Sequence, residues 1–111
     1  MTYKQFEVLV VPFPFTEKYF QKKRPAVILS SDAFNESHDH LVLAMITVAF
    51  SSKWVSDVMI ENWKETGLTK SCCARFKLFT LPQTLIIKNL GKLVGVDREK
   101  LRFSMDKFLM Q

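Results

Sequence analysis

The sequence is short of cysteine, and the two it has, Cys72 and Cys73, are neighbours. A disulfide between adjacent residues is strained, so two free thiols in a reducing compartment are expected. No CxxC or His-rich spacing occurs, which removes the zinc-ribbon and zinc-finger classes and leaves no metal site expected. Long apolar runs are missing too. No stretch approaches the roughly 18 residues of a membrane span. The first residues, MTYKQFEVLVVPF, carry no charged region leading into an apolar one, and Pro12 and Pro14 interrupt the run that follows. They do not form a signal peptide, and the expected location is cytoplasmic. Acidic residues are outnumbered, 11 against 16 Lys and Arg, for a net charge of +5. An excess of that sign favours an anionic partner such as nucleic acid when it clusters, as it does at Lys18–Arg24 and between Lys64 and Lys77.

What is present suits one globular domain over residues 1–111, with 48% hydrophobic and 24% charged residues. The chain is organised around residues 8–31, where two Val-, Ile- and Phe-rich runs flank a polar, basic loop ending in Arg24-Pro25. Such runs read as adjacent strands. Pro25 is expected as the first residue of the second strand, where a missing N–H breaks no ladder bond. Arg24 then stands at the strand entrance, held extended by the proline that follows. Pro12 and Pro14 mark a sheet boundary or bend on one edge of the first strand. Tyr19 and Phe20 lie among the loop's charges; aromatics so placed stack on unpaired bases or anchor a loop in the core.

Further along, Ser31 or Asp32 caps one helical turn. His38 and His40 read as solvent-exposed connector residues. His40–Phe50 is the longest apolar run and predicts a strand buried on both faces, with Thr47 near its end. Ser51–Ser56 is a polar turn containing Trp54, Asp57–Glu61 a short strand, and Asn62–Lys70 a loop turning at Thr66-Gly67. Alternation in Ser71–Leu81 sets Cys73, Arg75, Lys77 and Phe79 on one face, with the cations pointing outward. Leu85–Leu93 holds one more strand. Asp97 is the expected N-cap of a closing helix, Arg98–Met110, whose Leu101, Met105, Phe108 and Leu109 form an apolar stripe. This order predicts a small antiparallel barrel or half-barrel with a helix packed on it.

The segments VLVVPFPFT, KRPAVILS, LAMIT, TGL with S...ARFKLFTL, and LGKL before the terminal helix run in this order over about residues 6–109. Together the ordered set resembles the MazF/PemK family of toxin endoribonucleases. The resemblance implies a mainly β fold with α, an SH3-like small barrel of the plasmid-maintenance-toxin type with a short helical insert and a C-terminal helix. It implies the toxin component of a type II toxin-antitoxin system, a homodimer blocked by a cognate antitoxin. Its activity would be sequence-selective cleavage of single-stranded RNA without metal or other cofactor. The ribose 2′-hydroxyl attacks the adjacent phosphorus, leaving a 2′,3′-cyclic phosphate and a 5′-hydroxyl. By the same resemblance Arg24 and Thr47 are catalytic, and Lys22, Lys23, Phe15, Tyr19, Arg75 and Lys77 are RNA-binding.

Physical chemistry supports part of this assignment. A planar, permanently charged guanidinium matches the charge that builds on the non-bridging phosphate oxygens. Arginine is a poor general base, and Glu17, Asp57, His38 and His40 are the proton acceptors the sequence offers. Departures from the family pattern are Phe6-Glu7 in place of Gly-Asp ahead of the first strand, a first loop without glycine, and Val48 after the key threonine. They motivate the alternative of a non-catalytic RNA- or protein-binding module on the same barrel.

Overall fold

The computed structural model describes residues 3–13, 22–48 and 53–110. Among them the apolar runs form strands β1 (Glu7–Pro12), β2 (Lys23–Ile28), β3 (His40–Val48), β4 (Val58–Met59), β5 (Cys72–Pro82) and β6 (Lys88–Lys92). Helix α1 (Asp32–His38) separates β2 from β3, and α2 (Gly95–Met105) follows β6, running on into a π-helical turn at Asp106–Met110. The strands pair antiparallel in the order β4-β5-β3-β2-β1-β6. The result is a mostly β half-barrel with two helices, as the order of elements predicts.

Strand alternation distributes the apolar residues over two cores. One face sends Val8, Val27, Ala44, Ile46, Ala74 and Phe76 against Leu93 and Leu101, the latter on α2. The other gathers Leu9, Val11, Ala26, Ile28, Leu41, Leu43, Phe79 and Leu81. Both faces of β1, β2 and β3 are therefore buried, which is why their sequences lack polar alternation. Each such aliphatic side chain contributes roughly 1.5–3 kcal/mol on burial.

Pro12 and Pro25 turn their nitrogens to sides where the ladder is absent, and Pro14 lies outside the described residues. The Leu29 N–H donates to Val42 O on β3, so by alternation the nitrogen of Pro25 faces the same side, beyond the last β2–β3 pair at Ala26 and Met45. Likewise Val10 O accepts from Ile87 on the β6 side, and Pro12, two residues on, faces that side past the end of the β6 pairing. Pro25 is accordingly the third residue of β2, and Arg24 lies inside the strand instead of at its mouth.

Two expectations about the terminal helix need correction. Val94, not Asp97, occupies its N-cap. Asp97 is fully buried in the first turn, and its carboxylate accepts from the N–H groups of Glu61 (2.8 Å) and Asn62 (2.9 Å). It fastens a neighbouring turn, a long-range role that local spacing does not encode. The apolar stripe is covered over its first half only, where Leu101 and Met105 meet the first core; Phe108 and Leu109 are exposed. By contrast Ser31 caps α1 as expected, accepting from the Phe34 N–H.

Candidate active site

Residues opposite one another in an antiparallel pair share a face of the sheet. Val11 opposes Arg24, Thr47 opposes Cys73, and Cys73 opposes Met59. Ala26 opposes Met45 on β2 and β3, and the same register carried two residues along each strand reaches Arg24 and Thr47. A row of Val11, Arg24, Thr47, Cys73 and Met59 thus crosses β1, β2, β3, β5 and β4 at the rim of the second core. Arg24 is exposed and Thr47 half-buried. A permanent cation and a hydroxyl stand at the same end of one face.

The flanking cations divide between the faces. The Phe13 N–H donates to Lys22 O at 2.9 Å, which sets Lys22 on the face of Arg24, while Lys23, opposite Pro12, takes the other. Both are exposed. Phe13 itself is buried edge-on against Phe79, with ring centroids 5.9 Å apart, and closes the core beneath the row.

Beside the row lies an ionic cluster. Arg75, opposite Met45, donates from Nε and Nη2 to Asp57 Oδ1 and Oδ2 at 3.1 and 2.8 Å. The Trp54 N–H donates to the same carboxylate at 3.0 Å, and the Cys73 thiol adds a hydrogen bond. The guanidinium carbon stands 5.5 Å from the Trp54 ring centroid. Burial by itself would raise the Asp57 carboxyl; the Arg75 hydrogen bond and charge, with the Trp54 N–H and the Cys73 thiol, outweigh it and hold the group below the ordinary carboxylate value. Burial, reinforced by the Asp57 charge, pushes the Cys73 thiol up to about 11.

The alternation expected in β5 holds, although the ladder jumps from Ala44 and Leu78 to Met45 and Arg75 and leaves Phe76 and Lys77 as a bulge. The outward direction expected of both cations does not. Lys77 is exposed in the bulge, whereas Arg75 is drawn onto Asp57, which the β4–β5 register, carried one residue past Val58, sets directly opposite it. Phe15, Tyr19 and Glu17 lie outside the described residues. His38 and His40 sit at the opposite end of β3 from Thr47, about 20 Å away at the usual rise per strand residue. Val48 is exposed and points away from the row. Trp54 and Cys73 are the residues that sequence reasoning did not place at the site. The spacing of Trp54 and Asp57 is the one local signal, since an Asp side chain often bonds a nearby backbone N–H in a turn.

Among the described residues no three His, Cys, Asp or Glu side chains are grouped to hold a metal ion. No helix among them is long and apolar enough to cross a membrane.

The fold has solved counterparts. An endoribonuclease in complex with its cognate antitoxin, from a mycobacterial species, superposes with a TM-score of 0.76 at 14% identity, over 96% of this chain and 94% of that one. The MazE-MazF complex of Deinococcus radiodurans gives 0.75 at 14% identity over 98% and 97%. The Mycobacterium tuberculosis toxin MazF-mt6 gives 0.72 at 16% identity over 91% and 93%. No curated protein sequence matches the chain. At the level of sequence profiles the match covers residues 4–107, and the chain belongs to the PemK-like, MazF-like toxins of type II toxin-antitoxin systems.

Proposed function

We propose that this toxin is an endoribonuclease that cuts single-stranded RNA between Arg24 and Thr47. The observation that carries the reading is the β2–β3 register, which brings these two side chains to the same end of one sheet face. In the reaction the ribose 2′-oxygen forms a bond to phosphorus while the bond from phosphorus to the 5′-oxygen breaks. Negative charge builds on the non-bridging oxygens. The Arg24 guanidinium offers them paired, charged donors, and one preorganised donor of this kind lowers a barrier by on the order of 3–4 kcal/mol. Thr47 donates a further hydrogen bond from its hydroxyl. Lys22 and Lys77 meet the strand on either side, and Lys23 draws it in at longer range.

Of the proton acceptors named from the sequence, those among the described residues are spoken for or distant. Asp57 already accepts from Arg75, Trp54 and Cys73, and both histidines lie at the far end of β3. Among the described residues this leaves solvent to take the 2′-hydroxyl proton and to return one to the departing 5′-oxygen, and Glu17 lies outside them.

The toxin acts in the cytoplasm as a homodimer and is held inactive by a cognate antitoxin. Two relatives of this fold are seen with such partners. The apolar groove of about 620 Å³ between β4 and α2, bordered by Val55, Met59, Phe103 and Phe108, is a surface on which protein docking would bury exposed apolar area.

The test is cleavage of a long, unstructured RNA in EDTA by wild type, Arg24→Ala and Thr47→Ala, with product ends typed. Discrete cuts with cyclic-phosphate ends, lost in both folded variants, support the assignment. Normal cleavage by folded Arg24→Ala refutes it, and RNA binding without any product would replace the nuclease with a binding module.

A further inference from the structure

Trp54 is a large aromatic residue that belongs to neither core, and it remains 45% exposed. Its position is nevertheless fixed. The Asp57 N–H donates to Trp54 O and the Trp54 N–H to Asp57 Oδ2, both at 3.0 Å, so the turn closes on itself. Arg75 then clamps that turn to β5 through two hydrogen bonds to the Asp57 carboxylate, and its guanidinium lies over the indole. An exposed aromatic held this firmly has already lost the freedom that a ligand would otherwise have to remove.

Its location relates it to the row. Cys73 opposes Thr47, and Arg75 is the diagonal neighbour two residues along β5, about 7–8 Å from Thr47 between α-carbons. The indole stands one ring contact beyond Arg75. At roughly 3.4 Å per stacked nucleotide, a single strand of RNA passing Arg24 and Thr47 covers the distance to Arg75 within two or three nucleotides and the 5.5 Å from its guanidinium to the indole with about two more. Every nucleobase has a π-face, so an aromatic there binds an unpaired base without reading its identity.

We propose that Trp54, steadied by the Arg75–Asp57 pair, is a stacking platform for one unpaired base of the RNA, beside the phosphate held by Arg24 and Thr47. This rests on the endoribonuclease reading above. Arg75 acts here as a positioning residue and presents its charge to the indole.

The first experiment titrates the whole toxin with a mixed-sequence 2′-O-methyl RNA, whose blocked 2′-oxygen prevents cleavage, while tryptophan emission is followed. Binding quenches emission in the wild type, and Trp54→Phe loses the quench while keeping affinity within a few-fold. Trp54→Ala weakens binding about 5- to 150-fold, the range known for base stacking on aromatics. With cleavable RNA, Trp54→Ala raises KM by the same factor and leaves kcat at saturation unchanged, because a stack present before and during reaction is uniform binding. Trp63, partly buried against the first core, reports that each variant is folded. If Trp54→Ala does not fold, the comparison of wild type with Trp54→Phe still decides. Cleaving wild type whose emission is unmoved by bound RNA, or folded Trp54→Ala with wild-type KM, overturns the platform and leaves the nuclease standing. A folded wild type that neither binds nor cleaves RNA overturns both.

Discussion

Replacing Asp57 by alanine is the sharpest probe of the ionic cluster. The pair with Arg75 is bidentate, and the two side chains are only 9% and 12% exposed. At an effective dielectric near 20, charges about 4 Å apart attract by roughly 4 kcal/mol, partly offset by desolvation. Removing one partner costs more than the pair's net worth, because the other charge stays behind. Asp57→Ala also strips acceptors from the Trp54 N–H and the Cys73 thiol. The expected loss is about 3–4 kcal/mol. Lys100 and Glu61 supply the control: their contact is as short, 2.9 Å, but the side chains are 32% and 60% exposed. Glu61→Ala should therefore cost no more than about 1 kcal/mol. The double variant Asp57→Ala/Arg75→Leu should recover more than half of the single-variant loss, since no unpaired charge remains. Urea unfolding followed by circular dichroism measures all three at constant m. A cost for Asp57→Ala below about 1 kcal/mol, or equal to that of Glu61→Ala, would refute the reasoning.

Asp57 also predicts an acid dependence. Its carboxyl is held below the ordinary carboxylate value in the folded state, so its contribution is full above the unfolded value of about 3.9 and is lost as pH falls from there through the folded value; unfolding midpoints of wild type and Asp57→Asn should be fully separated above about pH 4 and draw together progressively as pH falls below it. Asp97→Ala removes a fully buried carboxylate and leaves the part-buried Glu61 and Asn62 N–H groups without that acceptor, and should cost about 2–4 kcal/mol by urea unfolding. At Gly67, with φ +80°, an added Cβ would stand 2.5 Å from Leu90 O; Gly67→Ala should lose roughly 2–3 kcal/mol, and a loss under about 1 kcal/mol would show that the turn gives way.

Much of this architecture is legible in the sequence because it depends on neighbours. The apolar runs, the Ser31 cap and the Thr66-Gly67 turn each report a local constraint. Arg24 and Thr47 become a pair through the ordered motifs of a resemblance; nothing in the composition around Thr47 marks it. Three features escape for a common reason. Asp97 bonds a turn 36 residues earlier in the chain, and Arg75 bonds an aspartate 18 residues away. Trp54 acquires its place only through that aspartate. The first two are polar contacts across the fold, where spacing carries no information; the Trp54–Asp57 spacing is local, but what holds that turn against β5 is Arg75. Lys23 is a milder case: it shares the basic run with Lys22 and Arg24, but strand alternation turns it to the opposite face.

The saturation of Asp57 has a kinetic consequence. Its two oxygens take Arg75 twice, the Trp54 N–H and the Cys73 thiol, and that thiol, pushed up to about 11, stays protonated at neutral pH. Neither group can collect the 2′-hydroxyl proton in the physiological range. With both histidines at the far end of β3, the described residues leave hydroxide from solvent as the acceptor in the proposed reaction. Rate governed by hydroxide rises tenfold per pH unit and shows no inflection near the carboxylate or histidine range, in contrast to catalysis by a titrating side chain. Single-turnover cleavage measured from pH 5 to pH 8.5 should therefore give a log-rate slope near one throughout. A plateau beginning near pH 5 would refute hydroxide as the acceptor, and loss of that plateau in Glu17→Gln would assign the proton to that carboxylate.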